Sequence, residues 1–174
     1  MNPDSDHEPA PEYVQNAVAQ YQAPLLRYAG RLLGDADRAR DVVQDTFVRL
    51  VAQPLADVDG HLAEWLFTVC RNRALDVLRK EGRMKRFAEG EVERIAADAP
   101  RPGRALEQAE TRAALLTLIG HLPPNQQEVI RLKFQNGFSY KEISRITELS
   151  VSNVGFLIHT AVQRLRREFA EQPR

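Results

Sequence analysis

The stretch from Trp65 to Arg86 holds the groups best suited to handling nucleic acid. Trp65 and Phe67 come first, then Arg71, Asn72, Arg73, Arg79 and Lys80, with Arg83, Lys85 and Arg86 close behind. Aromatic rings stack on opened bases, amides bond to base edges, and guanidinium and ammonium groups hold phosphates. Trp65 would serve equally well as core. Arg71, Asn72, Arg79 and Lys80 cannot all be buried, so their surface should be positive. A second set has the opposite character: Asp37, Asp41, Gln44, Asp45 and Val48 lie one face away from an apolar helical stripe. Carboxylates four residues apart repel by roughly 0.2–0.5 kcal/mol, so the row does not help the fold. It is either an ordinary solvated face or a surface for a basic partner. Asp41, Asp45, Asp57, Asp59 and His61 form the one dense acidic and histidine group, and their spacing matches no metal-ligand pattern.

A third set lies near the C-terminus, in Ser139-Tyr-Lys-Glu-Ile-Ser-Arg-Ile-Thr-Glu-Leu-Ser-Val-Ser-Asn-Val154. Ser139 with Glu142 three residues later is a capping box, which predicts a helix start. Ile143 and Ile146 fall on its buried face, and Leu149 closes a turn. Ser150 can cap the next helix, Val151 to about Phe169, with Val154, Leu157, Ile158, Ala161 and Leu165 inward. Polar Ser152, Asn153, His159, Thr160 and Gln163 and basic Arg164, Arg166 and Arg167 then point outward. Two short helices around a tight turn are the shape that enters a DNA groove. A helical hairpin in a plain bundle has the same apolar spacing.

The elements that position these groups are helical. The chain has 174 residues, enough for one ordinary domain or two small ones, and 43% hydrophobic content supports a packed core. No useful alternating β pattern appears, so an all-α fold is expected. Cys70 is the single cysteine, which excludes an intrachain disulfide and a cysteine-cluster zinc site. It lies on an apolar helical face as a small core residue. No apolar run of membrane-spanning length and no signal-peptide pattern is present, which predicts a cytoplasmic protein without membrane insertion. The formal net charge is zero, but residues 65–87 carry seven basic and two acidic groups, and residues 129–167 carry the same counts. Phosphate contacts at two separate places follow.

Residues 1–11 read as a disordered acidic tail. Residues 12–83 hold three helices: Glu12 to Leu33 with a new turn or kink at Pro24, Ala36 to Ala52 capped by Asp35, and His61 to Glu81 ended by Gly82. The second should bury Ala39, Val42, Val43, Phe47, Leu50 and Val51. The third should bury Leu62, Trp65, Leu66, Val69, Cys70, Ala74, Val77 and Leu78. Residues 84–105 read as a flexible linker, able to reach roughly 70 Å fully extended. Residues 106–170 hold four helices, with Leu122-Pro123-Pro124 and Asn136-Gly137 as start and stop.

The segments Asp41-Val-Val-Gln-Asp-Thr-Phe47, Trp65-Leu-Phe-Thr-Val-Cys-Arg-Asn72, Ala74-Leu-Asp-Val-Leu-Arg79 and Leu122-Pro-Pro to Leu165-Arg-Arg167 resemble, in order, the extracytoplasmic-function sigma factors of bacterial RNA polymerase. The resemblance implies two small helical domains, a region 2 bundle and a region 4 helix-turn-helix. It implies a promoter-specificity subunit with no catalysis and no cofactor of its own, whose partners are core RNA polymerase, promoter DNA and an anti-sigma factor. Asp37, Asp41, Gln44, Asp45 and Val48 would then dock on the β′ clamp helices, and region 4 would touch the β flap. The loop Leu55 to Glu64, with Asp57 and His61, would hold a base flipped from the −10 element. Trp65, Arg71, Asn72, Arg79, Lys80 and Arg83 would contact and help melt that element.

At the −35 element the resemblance implies major-groove reading by the last helix. This chain departs from the family's common pattern there, with Gly155, Phe156 and Thr160 where basic residues often stand, none able to grip a guanine bidentately. Readout shifts to Ser150, Ser152, Asn153, Phe156, His159, Gln163 and Arg164. The alternatives are a helix-turn-helix regulator acting without core polymerase, an enzyme, or an adaptor using the acidic helix. The first leaves residues 35–86 unexplained, and the second lacks a phosphate loop or nucleophile–base arrangement.

Overall fold

The structure is a computed structural model and describes residues 11–82 and 105–171. The described residues form seven α-helices and one 3₁₀ turn, with no strand among them. Helix α1 spans Pro11–Leu33, α2 Ala36–Val51 and α3 Leu62–Lys80, with the 3₁₀ turn Leu55–Asp57 between the last two. After the undescribed stretch come α4 Ala105–Gly120, α5 Pro124–Phe134, α6 Tyr140–Thr147 and α7 Val151–Ala170.

Helices α1 to α3 pack on one another around Leu25, Leu33, Leu50, Leu66, Cys70 and the loop residue Val58, all essentially inaccessible. Pro24 neither breaks α1 nor starts a new element; it sits inside one continuous helix. Its missing N–H leaves the carbonyl of Gln20 without an intrahelical donor, and Gln20 is exposed, so water can supply one. Gly34 stops the helix in the left-handed region at φ 66°, and its N–H bonds back to the Gly30 carbonyl. Asp35 then caps α2 by accepting from the Arg38 N–H at 3.0 Å.

The apolar stripes differ from expectation on both α2 and α3. On α2, Thr46 is fully buried and Val51 is exposed. The Thr46 hydroxyl donates to the Val42 carbonyl at 2.8 Å, so this polar side chain enters the core already satisfied. On α3, Trp65 and Leu62 are half-buried, whereas Phe67 is 1% exposed. Phe67 was expected among the surface aromatics, but a second layer of helices covers it.

That layer is α4 to α7. Pro124 stands at the first position of α5, and Gly137 turns the chain at φ 74° before α6. Ser139 and Glu142 make the reciprocal capping box that the sequence predicts. Glu148 adopts φ 61°, an uncommon left-handed residue that lets α6 end and α7 begin within three residues. The turn is tied from both sides: the Ser144 hydroxyl donates to the Leu149 carbonyl at 2.5 Å, and Ser150 accepts from the Asn153 N–H at 3.1 Å. Ile143, Ile146, Val154, Leu157, Ile158, Ala161 and Leu165 are all buried, as the spacing requires.

The two layers meet where α3 packs on α6. The Phe67 ring lies 5.1 Å from Tyr28 and 5.0 Å from Phe138, the latter edge-to-face.

Candidate nucleic-acid and partner interface

Three surfaces carry the residues singled out from the sequence. On α2, Asp37, Asp41, Gln44 and Val48 recur at spacings of four, three and four and are all exposed, Val48 at 61%. They form one continuous strip of acid, amide and bare apolar side chain. Among the described residues, Asp37 is engaged only by Arg40 on its own helix. Asp45 is set apart from the strip: it pairs with Arg73 of α3 and, at 3.6 Å, with Arg49. Its carboxylate therefore helps hold α2 on α3.

The second surface surrounds α3. Asn72, Arg79 and Lys80 are exposed as expected. Arg79 is bonded to Asp76 at 3.1 Å, which trims the positive field. Trp65 is half-buried against the core. Arg83 lies outside the described residues, as do residues 1–10 of the expected tail and 84–104 of the expected linker. In the preceding loop, Val58 is buried and pins the backbone, while Asp57, Asp59 and His61 face outward. Gln53 donates to Asp57 at 2.9 Å, and the His61 ring nitrogen lies 3.1 Å from the Asp59 carbonyl. The loop is thus an anchored rim with a polar edge.

Arg71 sits elsewhere. Its side chain is 12% exposed, and its Nε donates to Glu128 Oε1 of α5 at 2.7 Å, with Nη2 at 3.3 Å from Oε2. The Tyr28 hydroxyl donates to the same Oε1 at 2.7 Å. Burial disfavours the Arg71 charge, but Glu128 above all, with Tyr28 and Glu148, outweighs this and raises the guanidinium above its usual range. Burial first, and the Glu128 charge second, push the Tyr28 hydroxyl well above its ordinary value, so it remains a donor. One turn further along α5, Arg131 is 5% exposed, with Nε and Nη2 unpartnered among the described residues. Burial and the nearby charge of Arg31 lower its pKa to about 10. Glu64, also buried, accepts from Arg145 of α6 at 2.9 Å. Reading the sequence missed Glu128, Arg131, Glu64 and Arg145. The only available signal was a carboxylate immediately before the apolar pair Val129-Ile130.

The third surface is the outer face of α7. Ser152, Asn153, Phe156 and His159 are exposed, Phe156 at 65%. Gln163 is exposed and bonded to His159 at 3.0 Å. Arg164 is half-buried and paired with Glu168 at 2.7 Å, so it is a weaker candidate for DNA than the others. Ser150 spends its hydroxyl on the helix cap. The basic concavity lined by Thr160, Gln163, Arg164, Arg166 and Arg167 has a volume of about 590 Å³ and continues this face.

Comparison with known proteins falls on the same two units. The sigma-70 region 2 family matches residues 17–84, and the sigma-70 region 4 family matches residues 112–165. The ECF RNA polymerase sigma factor EcfG of Rhodopseudomonas palustris is 35% identical over 82% of this chain and 77% of its own length. The chain belongs to the extracytoplasmic-function sigma factors.

Further relatives are SigL of Mycobacterium tuberculosis, 30% identical over 87% of this chain and 86% of that protein, and SigE of Mycolicibacterium smegmatis, 30% identical over 88% of this chain. The chain spans 60% of the length of that SigE. Among solved structures, the sigma factor RpoE of Bartonella quintana, in complex with the anti-sigma factor NepR, has the same fold, with TM-score 0.64 at 23% identity over 93% of this chain and 99% of that one. Region 2 is therefore α1 to α3, and region 4 is α4 to α7. No described helix is long and apolar enough to cross a membrane.

Proposed function

We propose that this chain directs core RNA polymerase to specific promoters and helps open them, as a dissociable subunit without catalysis of its own, in the cytoplasm. The observation that carries the reading is the pairing, in one chain, of a region 4 helix-turn-helix with a region 2 whose α2 bears the exposed Asp37–Asp41–Gln44–Val48 strip. A regulator acting through the helix-turn-helix alone would have no use for that strip.

The strip is the docking surface for the β′ clamp helices: charge speeds the encounter, and Val48 supplies apolar contact at its end. The loop rim of Asp57 and His61 holds a flipped −10 base. Asn72, Arg79 and Lys80, together with Trp65 and Arg83, follow the opened strand, and Arg71 joins them when it is free of Glu128. Region 4 touches the β flap and reads the −35 element through Ser152, Asn153, Phe156, His159 and Gln163, with Phe156 placed for thymine methyls. Ser150 positions that helix by capping it. An anti-sigma factor is the expected antagonist. The names of EcfG, SigL and SigE, each an ECF RNA polymerase sigma factor, support the promoter-directing role.

Run-off transcription with core polymerase on genomic fragments tests the reading. Discrete transcripts that require both chain and core support it; silence on all fragments, with active core, contradicts it.

A further inference from the structure

Three positions on α7 depart from the family's common pattern, and the structure separates their roles. A Cβ at Gly155 would stand 3.5 Å from the Tyr140 ring, so that position faces α6. Thr160 is half-buried. Phe156 alone projects outward, 65% exposed. It stands in an exposed stripe of Ser152, Phe156, His159 and Gln163, spaced by four, three and four residues, with Asn153 beside it.

Residues 150–163 contain no lysine or arginine. Arg164 is tied to Glu168 at 2.7 Å, so the first exposed cations of the helix are Arg166 and Arg167. At a helical rise of 1.5 Å per residue, Ser152 to His159 covers about 10 Å, whereas Arg166 lies about 21 Å from Ser152. A major groove about 12 Å wide accepts the first span and leaves the arginines to the phosphates. On α6, Lys141 is exposed but belongs to the helix that crosses the backbone, and Arg145 is occupied by Glu64.

Guanine offers two acceptors to the major groove, and gripping both needs a fork of donors. The His159 ring nitrogen is bonded to the Gln163 amide at 3.0 Å, which leaves one ring nitrogen, too few for that grip. Asn153 carries one donor–acceptor pair, the complement of adenine N6 and N7. The Phe156 ring matches the only apolar group in the groove, the thymine methyl.

We propose that α7 reads an A·T-dominated upstream element without a bidentate guanine contact, with Phe156 against a thymine methyl and Asn153 on an adenine as the specificity-determining residues. This rests on the reading of the chain as a promoter-binding subunit and narrows it to a base chemistry.

Duplexes of random sequence are selected by the full chain alone and by the chain bound to core polymerase. The upstream motif recovered should be dominated by A·T pairs. Uracil in place of the contacted thymine removes one methyl, which should weaken wild-type binding roughly threefold to fivefold and leave Phe156→Ala unaffected. 7-Deazaadenine should cost the wild type at least about fivefold and Asn153→Ala nothing further. 7-Deazaguanine should change neither. Both side chains are exposed, so these variants keep the fold. Phe156→Arg supplies the missing fork, and its selected motif should gain a guanine.

A motif fixed by guanine, with affinity lost on 7-deazaguanine, would overturn the proposal. So would an equal uracil penalty in wild type and Phe156→Ala, or a Phe156→Arg motif identical to the wild type's. If no upstream motif emerges while chain and core still give run-off transcripts, the base chemistry is wrong and the promoter reading stands. An A·T motif selected by the chain alone, with no transcript from any fragment, would support the base chemistry and sink the promoter reading.

Discussion

Cys70 is inert because of where it sits rather than what it is. It is fully buried, and burial pushes its thiol from 9.0 up to about 12, against a smaller opposing pull from a Thr46 hydrogen bond. A maleimide should therefore label it only after unfolding, which mass spectrometry across a urea series can follow. The linkage has a definite sign. Below pH 9 the thiol is neutral in both states and contributes nothing to the pH dependence. Above that the unfolded thiol ionises first, so stability falls as pH rises towards 12. Cys70→Ala should flatten that alkaline slope in denaturant titrations.

Gly155 is the second instructive residue. A methyl group there would stand 3.5 Å from the Tyr140 ring, an ordinary contact, within a helix where glycine costs about 1 kcal/mol relative to alanine. Gly155→Ala should thus raise the denaturant midpoint by up to about 1 kcal/mol in stability with an unchanged m-value. A destabilised variant would mean that the α6–α7 packing has no room for the methyl.

At the scale of elements, the helix-turn-helix was readable because everything that makes it is local. Ser139 and Glu142 are three residues apart, Ser150 and Asn153 likewise, and the buried positions of α7 follow a single helical period. Helix α2 was partly readable: Val51 matched the period but lies in the last turn, beyond the reach of its neighbours, while Thr46 was hidden by its polar name. Phe67, Arg71 and Glu128 were not readable at all. Arg71 and Glu128 depend on contacts 57 and 100 residues apart in sequence, and Phe67 on the rings of Tyr28 and Phe138; no local pattern encodes such pairings.

The exposed α2 strip yields its own prediction. Asp41→Lys with Gln44→Lys should leave helicity and thermal midpoint nearly unchanged, because both side chains are solvated. Binding to core polymerase, measured by fluorescence anisotropy, should fall by at least tenfold, since like charges would then face a basic partner. Undiminished binding would move the polymerase contact away from α2.

For the molecule as a whole, two small helical units share one chain, each with a surface proposed to meet nucleic acid, and in the structure they lean on each other through a buried carboxylate. That arrangement explains a formal net charge of zero in a DNA-binding protein. The basic groups are balanced overall but segregated along the chain, and part of the balance, Glu128 on Arg71, is spatial as well as arithmetic.

The central claim is that region 2 opens DNA only when polymerase holds it. Permanganate reactivity of thymines on a template that supports run-off transcription measures this directly. Thymines clustered about ten base pairs upstream of the start should become reactive with chain and core together, and with neither alone. Templates left unreactive by the complete mixture, or opened by the chain without core, would contradict the account.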